Sequence, residues 1–426
     1  MAVFSPRRVL ACAAALLLSA CSDSELPPLK DPPGKRVGSS EERVLKPKAT
    51  AVEDMATVVA DNTDLGAELL RLSAPGTNVF FSPYSITQAL GMVYAGARGE
   101  TEAQMARALR FSLPQERLHP ARNALDLALQ PRANKDRSGK PLPAFRVVSA
   151  TWGQKGLAFE PAFLDVLARD YGAAMWTVDF TQEPEALRAD INAWVEDQTA
   201  GRIRDLVQSG GVTPATRLML VNALYFKGAW VEPFKEGATR EVPFHLLSGG
   251  SKPVPMMAGG QGGQYMAGEG FEAVALAYRG EEFRMLVVLP AAGRFAEVEG
   301  RLSSGLLDDV HARLKARPMS IALPRFQMES ELPLGDALRA LGMEAAFSEQ
   351  ADFSGLMRRA ALSLGPVSHK AFVAVDEEGT EAAAATAVGV VLTSAPEPFV
   401  VDRPFLFFIE HTATKNVLFL GRYVSP

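Results

Sequence analysis

Histidine and serine side chains are the first candidates for catalytic chemistry in this sequence. The five histidines are scattered along the chain, at His119, His245, His311, His369 and His411. A Ser-His-Asp hydrolase needs a base beside a serine held on a strained turn, and no serine here stands in a G-x-S-x-G or similar context. The pattern argues against an enzyme. The other candidates for a function are the two cysteines and a segment of small residues near the C-terminus.

The second cysteine, Cys21, ends a segment that is typical of a targeting signal. Two arginines precede an apolar run at residues 9–18, which is too short to span a bilayer and suits a signal peptide. Residues 18–21 read Leu-Ser-Ala-Cys and resemble the lipobox of bacterial lipoproteins. The resemblance implies removal of residues 1–20 and acylation of Cys21, which would anchor the protein in the cell envelope. Ser22, where an aspartate would retain the protein in the inner membrane, favours the outer membrane.

The alternative is an ordinary secretory signal, which would release an extracellular protein. In the lipoprotein interpretation Cys12 leaves with the signal and lipid occupies the thiol of Cys21, so the mature chain keeps no cysteine for a disulfide or for catalysis. No Cys and His cluster has the spacing of a zinc site, and we expect neither metal nor cofactor. The formal net charge of −5 becomes −7 when Arg7 and Arg8 leave, which disfavours nucleic acid as a partner.

Two regions of different composition follow the signal. Residues 21–50 are rich in Pro, Lys, Glu and Ser without an apolar period, which predicts a flexible tether with a reach of roughly 30 Å. From residue 52 to 426, helical and strand patterns alternate with short turns, and no internal repeat is present. The chain is 47% hydrophobic and 22% charged, so most of it should fold. We predict one large domain over residues 52–426.

Helical patterns dominate the first half of this domain and short apolar strands the second. Residues 55–72 and 161–167 have apolar side chains at helical spacing, and Ser85 is placed to cap a helix over residues 86–96. Runs typical of buried strands lie at residues 78–81, 218–225, 283–289 and 405–409. Segregated helices and strands predict an α+β fold rather than an alternating βαβ one.

The segment near the C-terminus has an unusual run of small side chains. Residues 369–376 alternate like a strand, and residues 377–394 contain no large apolar side chain before Val388. An alanine run favours a surface helix. Small side chains on both faces also fit between the strands of an existing sheet, with Gly379 as a hinge. The periodicity leaves both interpretations open.

Four stretches of the sequence together resemble the serpin family. They read NVFFSPYSI with GARGET, LVNALYFKGAW, EEGTEAAAA, and DRPFLFFI with GRY. They lie at residues 78–86 with 96–101, 220–230, 377–385, and 402–409 with 421–423. One such stretch can occur by chance, whereas four in this order are highly specific. The resemblance covers residues 52–426.

This resemblance implies an α+β domain of three β-sheets and eight or nine helices, with an exposed reactive-centre loop at about residues 377–400. In the family a serine protease cuts the loop, which then inserts into the large sheet as a new strand and distorts the still acylated enzyme. The chain matches the hinge of inhibitory, monomeric members at Glu377, Glu378, Gly379, Thr380, Ala382, Ala383, Ala384 and Ala385. A non-inhibitory serpin that binds a ligand or partner is the alternative, which the unbroken hinge disfavours.

The family's loop length, counted from Gly379, places the cut between Thr393 and Ser394, or one residue earlier after Leu392. Thr393 follows apolar residues and suits elastase-like or subtilisin-like proteases. Leu392 would suit chymotrypsin-like or subtilisin-like ones. Neither position offers the Arg or Lys that a trypsin-like enzyme requires.

The resemblance also assigns roles to residues outside the loop. Ser82, Ser85, Asn222 and His369 match the shutter, a polar cluster beneath the centre of the large sheet where strands part. Such a buried cluster is expected to be fully hydrogen-bonded. Trp230 matches the aromatic residue of the breach, where the loop enters the sheet. For each position the alternative is an ordinary helix cap or core packing.

Overall fold

The computed structural model describes residues 30–130, 133–259, 262–357, 362–365, 367–380 and 398–426. Within that part of the chain lie nine α-helices and three β-sheets of seven, seven and four strands. The predicted α+β fold is therefore confirmed. The expected acylation residue, the expected hinge alanines and the expected cut lie outside the described residues, at Cys21, Ala382, Ala383, Ala384, Ala385, Leu392, Thr393 and Ser394.

Most helices lie in the first half of the chain, as predicted. Their bounds are α1 Ala49–Leu72, α2 Pro83–Tyr94, α3 Gly99–Ala108, α4 Gln115–Leu129, α5 Pro161–Tyr171, α6 Pro184–Gln198, α7 Phe295–Gly300, α8 Ser304–Arg313 and α9 Leu334–Ala340. The helix predicted from residue 55 begins earlier, at Ala49. The helix predicted at residues 161–167 continues to Tyr171 and ends where Gly172 adopts the left-handed conformation. In the described part of the chain, no helix is long and apolar enough to cross a bilayer.

Seven strands form the large sheet, in the spatial order β1, β4, β3, β5, β15, β14, β13. Their bounds are β1 Lys35–Val37, β3 Ala144–Gln154, β4 Met175–Val178, β5 Leu218–Ala229, β13 Phe326–Pro333, β14 Ser368–Val375 and β15 Gly379–Thr380. The strands predicted at residues 218–225 and 369–376 are present as β5 and β14. The strand β15, which comes last of the seven in the sequence, lies between β5 and β14.

A second seven-stranded sheet and a four-stranded sheet complete the domain. The second sheet contains β2 Val79–Phe81, β8 Gly263–Gly268, β9 Phe271–Ala277, β10 Phe283–Pro290, β11 Lys315–Arg317, β17 Phe405–His411 and β18 Val417–Tyr423. The third contains β6 Arg240–His245, β7 Ser251–Gly259, β12 Ser320–Pro324 and β16 Pro398–Val400. Gly421 on β18 packs against Phe407, since a Cβ there would lie 2.1 Å from the ring.

Helix α2 begins at Pro83, three residues before the predicted first helical residue, Ile86. Its N-cap is Ser82, whose hydroxyl accepts a hydrogen bond from the backbone N–H of Ser85, so the prediction that Ser85 caps the helix is wrong. Pro83 occupies the first helical position, where its missing N–H costs nothing and its fixed φ suits the helix. That proline is the signal by which the sequence identifies Ser82 as the cap.

The structure differs from the expected flexible tether at residues 30–48. Lys35–Val37 pairs antiparallel with β4, and the indole N–H of Trp152 donates to the carbonyl of Pro33 (2.7 Å). These backbone groups find partners at the free edge of a sheet, where unpaired N–H and C=O groups are available. Composition alone predicted disorder because the segment has few apolar residues of its own.

The buried side chains form two hydrophobic clusters. The larger one lies among α1, α2, α4, α5 and the second sheet. The smaller one lies between α6 and the adjacent face of β3, β4 and β5, with Trp152, Trp176, Ile191, Val195 and Val221 among its members. Helix α6 is therefore attached to one half of the large sheet.

Candidate functional site

The short strand β15 separates two strands of the large sheet at one end. Gly379 and Thr380 pair antiparallel with Ala229 and Gly228 of β5, while Thr380 also pairs with Val375 of β14. Further along, β5 and β14 pair directly, at Ala223 and Lys370. The strands β5 and β14 are thus separated by β15 near Gly379 and paired directly with each other at Ala223 and Lys370.

Glycine is required at position 379 by a close approach of backbones. A Cβ added there would lie 2.1 Å from the carbonyl oxygen of Gly228 and 2.7 Å from the Cα of Ala229. Real Cβ atoms essentially never make such contacts. The hydrogen atom of glycine lets the chain leave β14, turn and re-enter beside β5.

Thr380 is the first side chain after the turn and is 2% exposed. Its hydroxyl hydrogen-bonds the hydroxyl of Tyr278 (2.7 Å), and the Tyr278 ring stacks on the indole of Trp230 at a centroid distance of 4.5 Å. Burial raises the pKa of Tyr278, so the phenol stays protonated. Tyr278 and Trp230 thus form a small buried site whose phenol hydroxyl can bond a short hydroxylated side chain.

The turn between β14 and β15 is held by its own aspartate. Both backbone N–H groups of Glu378 and Gly379 donate to Oδ1 of Asp376 (3.0 Å each). Burial raises the pKa of Asp376, and these two bonds oppose that shift. The N–H of Trp230 donates to the carbonyl of Glu378 (2.8 Å), which ties the turn to β5.

Two further side chains hold Glu377. The Thr239 hydroxyl donates to its carboxylate (2.5 Å), and Nη1 of Arg325 lies 3.6 Å from the same oxygen. Trp230 contacts the turn from the other side, because its indole N–H donates to the carbonyl of Asp376 (3.1 Å). The structure therefore brings Glu377, Gly379, Thr380 and Trp230 together around one turn.

The four residues assigned to the shutter meet beneath the middle of the sheet. The N–H of Ser82 donates to Nε2 of His369 (3.0 Å), which places the imidazole proton on Nδ1. Asn222 and His369 line one small cavity of about 10 Å³, and the Asn222 amide donates to the Ser149 hydroxyl (3.4 Å). Ser85 contributes its backbone N–H to the Ser82 hydroxyl.

The expectation of a fully hydrogen-bonded shutter is not met within the described residues. The hydroxyl of Ser85, Oδ1 of Asn222 and Nδ1 of His369 are buried without a hydrogen-bond partner there. Each such group costs about 1–3 kcal/mol compared with a paired one. These unpaired groups lie on α2, β5 and β14, where the helix meets the sheet.

Comparison with known proteins decides the family. Residues 60–426 match the family model described as Serpin (serine protease inhibitor). The leukocyte elastase inhibitor of Sus scrofa is 38% identical over 388 residues, which cover 87% of this chain and 100% of that protein. The chain is a serpin.

Two more relatives agree with this assignment. An uncharacterised serpin-like protein of Thermococcus kodakarensis is 38% identical over 360 residues, covering 83% of this chain and 82% of that protein. Human thyroxine-binding globulin, solved with thyroxine, superposes with a TM-score of 0.77 at 29% identity, covering 89% of this serpin and all of that chain. The family and the elastase-inhibitor relatives support protease inhibition in general.

Sequence reasoning missed several residues that hold the hinge of this serpin. Tyr278, Thr239 and Arg325 are far from the hinge in sequence, and no local pattern marks them. Asp376 did carry a signal, because an aspartate before Glu-Glu-Gly is suited to accept backbone N–H groups of a following turn.

Two buried histidines have strongly shifted protonation. Burial lowers the pKa of His369 to about 3. Burial, together with the charges of Arg122 and Arg98, lowers the pKa of His119 to about 3. Both are therefore neutral in the folded serpin, whereas in the unfolded chain they take up a proton near pH 6.5.

We expect acid to destabilise the native state through these histidines. Above about pH 6.5 both states leave them neutral; below it the unfolded chain binds two protons that the folded chain excludes, at a cost of about 2.7 kcal/mol per pH unit. Chemical denaturation between pH 7 and 4 measures the slope. His369→Gln should reduce it by about one proton, whereas Leu247→Gln, which replaces an exposed uncharged side chain, should not. Equal slopes for the two variants would contradict the assignment.

Proposed function

We propose that this serpin inhibits serine proteases as a suicide substrate: a protease cleaves the segment after Thr380, and the cleaved segment inserts between β5 and β14. The observation that carries the proposal is the position of β15. Gly379 and Thr380 already pair with β5, and Thr380 also pairs with β14 on its other side. The residues that follow therefore start in register with the path of insertion.

The composition beyond Thr380 suits this path. Residues 381–387 carry no side chain larger than Glu381, and four consecutive alanines follow it. A strand buried within a sheet has neighbours on both sides, so small side chains enter with the least rearrangement. About a dozen new ladder hydrogen bonds at ~1 kcal/mol each give on the order of 10 kcal/mol, comparable to the stability of a whole domain. That amount suffices to distort a bound enzyme.

The expected targets are elastase-like or subtilisin-like proteases, with Thr393–Ser394 as the cut bond. The assignment rests on the sequence around that bond, because Val390, Val391 and Leu392 precede a small β-branched residue. The similarity to leukocyte elastase inhibitors supports the same class. Cleavage after Leu392 would move the preference toward chymotrypsin-like enzymes.

The test is to mix the mature chain with elastase, subtilisin, chymotrypsin and trypsin and to examine denaturing gels. We expect a covalent band with elastase or subtilisin, at the summed mass less that of a released C-terminal peptide that starts at Ser394. Cleavage by every enzyme without a covalent band would reject inhibition. That result would favour a binding function, of the kind that the thyroxine complex shows for thyroxine-binding globulin.

We also propose that Cys21 carries the lipid that anchors the protein in the cell envelope, on the outer membrane. The support is the Leu-Ser-Ala-Cys sequence after a short apolar run. Labelling of the expressing cells with radioactive palmitate should mark the wild-type chain, and Cys21→Ser should abolish the label and move the protein to the soluble fraction. Equal labelling of both chains would reject acylation at this residue, and an unlabelled wild type would indicate plain secretion.

A further inference from the structure

Residues 30–48, which precede α1, form a strap across one side of the domain. The strap, residues 30–48, begins at α6, where the indole N–H of Trp194 donates to the carbonyl of Lys30 (2.9 Å). The Lys30 ammonium lies 3.1 Å from the carboxylate of Asp197. The strap next supplies β1 to the edge of the large sheet, where the Thr177 hydroxyl donates to the carbonyl of Lys35 (3.2 Å). Its first half is thus attached to α6, β3 and β4.

The second half of the strap is attached to α4 and α5. The guanidinium of Arg43 donates to the amide oxygen of Asn123 (2.9 Å) and forms an ion pair with Asp126 on α4. The Asn123 amide donates in turn to the carbonyl of Val44 (2.6 Å). The N–H of Val44 donates to the carbonyl of Arg169 on α5 (3.0 Å).

The two halves are bonded to helices of different hydrophobic clusters, although Val37 of β1 also packs against the larger one. Helix α6 and the facing side chains of β3 and β4 belong to the smaller cluster, whereas α4 and α5 pack into the larger one. A strand that enters between β5 and β14 must move them apart by about 4.8 Å, the spacing of neighbouring strands. The half-sheet of β1, β4, β3 and β5 then shifts with α6 relative to the rest of the domain. The strap crosses the boundary along which that shift occurs.

We propose that the strap is an intramolecular clamp that resists widening of the large sheet and so slows insertion of the loop. The inference rests on the proposed function only for the effect on loop insertion, since the opening of the sheet is measurable without a protease. Release of either half of the strap would remove its link between α6 and the pair α4 and α5. The native form would then open more often, and the loop would enter the sheet sooner.

Amide hydrogen exchange of β5 and β14 in the full mature chain tests the clamp. Arg43→Met removes the attachment to α4, and Trp194→Phe removes the indole donor at α6 while it keeps an aromatic ring. We expect each variant to raise exchange in β5 and β14 by about tenfold, which corresponds to ~1.4 kcal/mol. Trp194→Phe keeps the test decisive if Arg43→Met fails to fold.

The matched control is Arg71→Met. Arg71 on α1 has a side chain that is 34% exposed; it donates to the carbonyl of Leu302 (3.0 Å), a member of the larger cluster, and pairs with Glu68 on the same helix. Exchange in β5 and β14 should stay at the wild-type rate. Faster exchange in the strap alone, with β5 and β14 unchanged, would overturn the clamp and leave the strap as a cover for the sheet edge. Faster exchange in β5 and β14 without covalent complexes would support the clamp and reject inhibition.

Discussion

Under the proposed mechanism, we expect Thr380→Arg to convert this serpin from an inhibitor into a substrate. Thr380 is 2% exposed and its hydroxyl is bonded to Tyr278 between β5 and β14. A guanidinium buried at this position without a carboxylate partner costs several kcal/mol. Insertion would then slow at its first step, while hydrolysis of the acyl-enzyme continues at its own rate. The number of inhibitor molecules consumed per protease inactivated should rise at least roughly tenfold.

The measurement is a titration of residual protease activity, with gels to count cleaved and covalently bound chains. Thr380→Ser is the matched control, because it keeps a small hydroxylated side chain that can bond Tyr278. It should titrate close to one to one. An arginine variant that still forms the covalent complex at the wild-type ratio would show that burial of residue 380 is not required, and the insertion mechanism would lose its main support.

The second large effect is expected at the bond that is cut. Thr393→Arg should raise the rate of association with trypsin by about 100-fold or more and lower that with elastase. The reason is that the primary pocket of trypsin carries a carboxylate, which selects a cationic side chain before the scissile bond. Association rates measured under pseudo-first-order conditions would give both values.

Two neighbouring variants establish the register of the loop. Leu392→Arg and Ser394→Arg place the same charge one residue before and one residue after the expected position. Trypsin should then respond most strongly to the arginine at residue 393. If Leu392→Arg is the variant that gains trypsin inhibition, the cut follows residue 392, and the expected targets become chymotrypsin-like. If none of the three gains it, the loop does not present this region to proteases.

The hinge illustrates how far local sequence information reaches. The small side chains after Thr380 and the glycine before it are visible in the sequence, and they predicted a segment able to enter a sheet. The partners that bury Thr380 were not visible. Tyr278 is separated from Thr380 by 102 residues, and nothing around Tyr278 distinguishes it from other aromatic core residues.

The strap illustrates the opposite limit. Residues 30–48 are polar and rich in proline, and their composition predicted a flexible tether. Their order comes from groups elsewhere: the free edge of β4, the indole of Trp194 and the amide of Asn123. Such partners exist only after the rest of the chain has folded, so a segment with little hydrophobic content becomes ordered by bonds that it cannot make alone.

The sequence by itself determined the α+β class, the strands β5, β10 and β17, the helices α1 and α5, and the resemblance to serpins. These features depend on periodicity and propensity within contiguous residues, which are local properties. Tertiary structure alone decided that Thr380 lies between β5 and β14 and that its hydroxyl is hydrogen-bonded to that of Tyr278. It also decided that the strap links helices of two hydrophobic clusters. Those contacts join residues far apart in the chain, and their free energy depends on burial and on hydrogen-bond partners that the completed fold supplies.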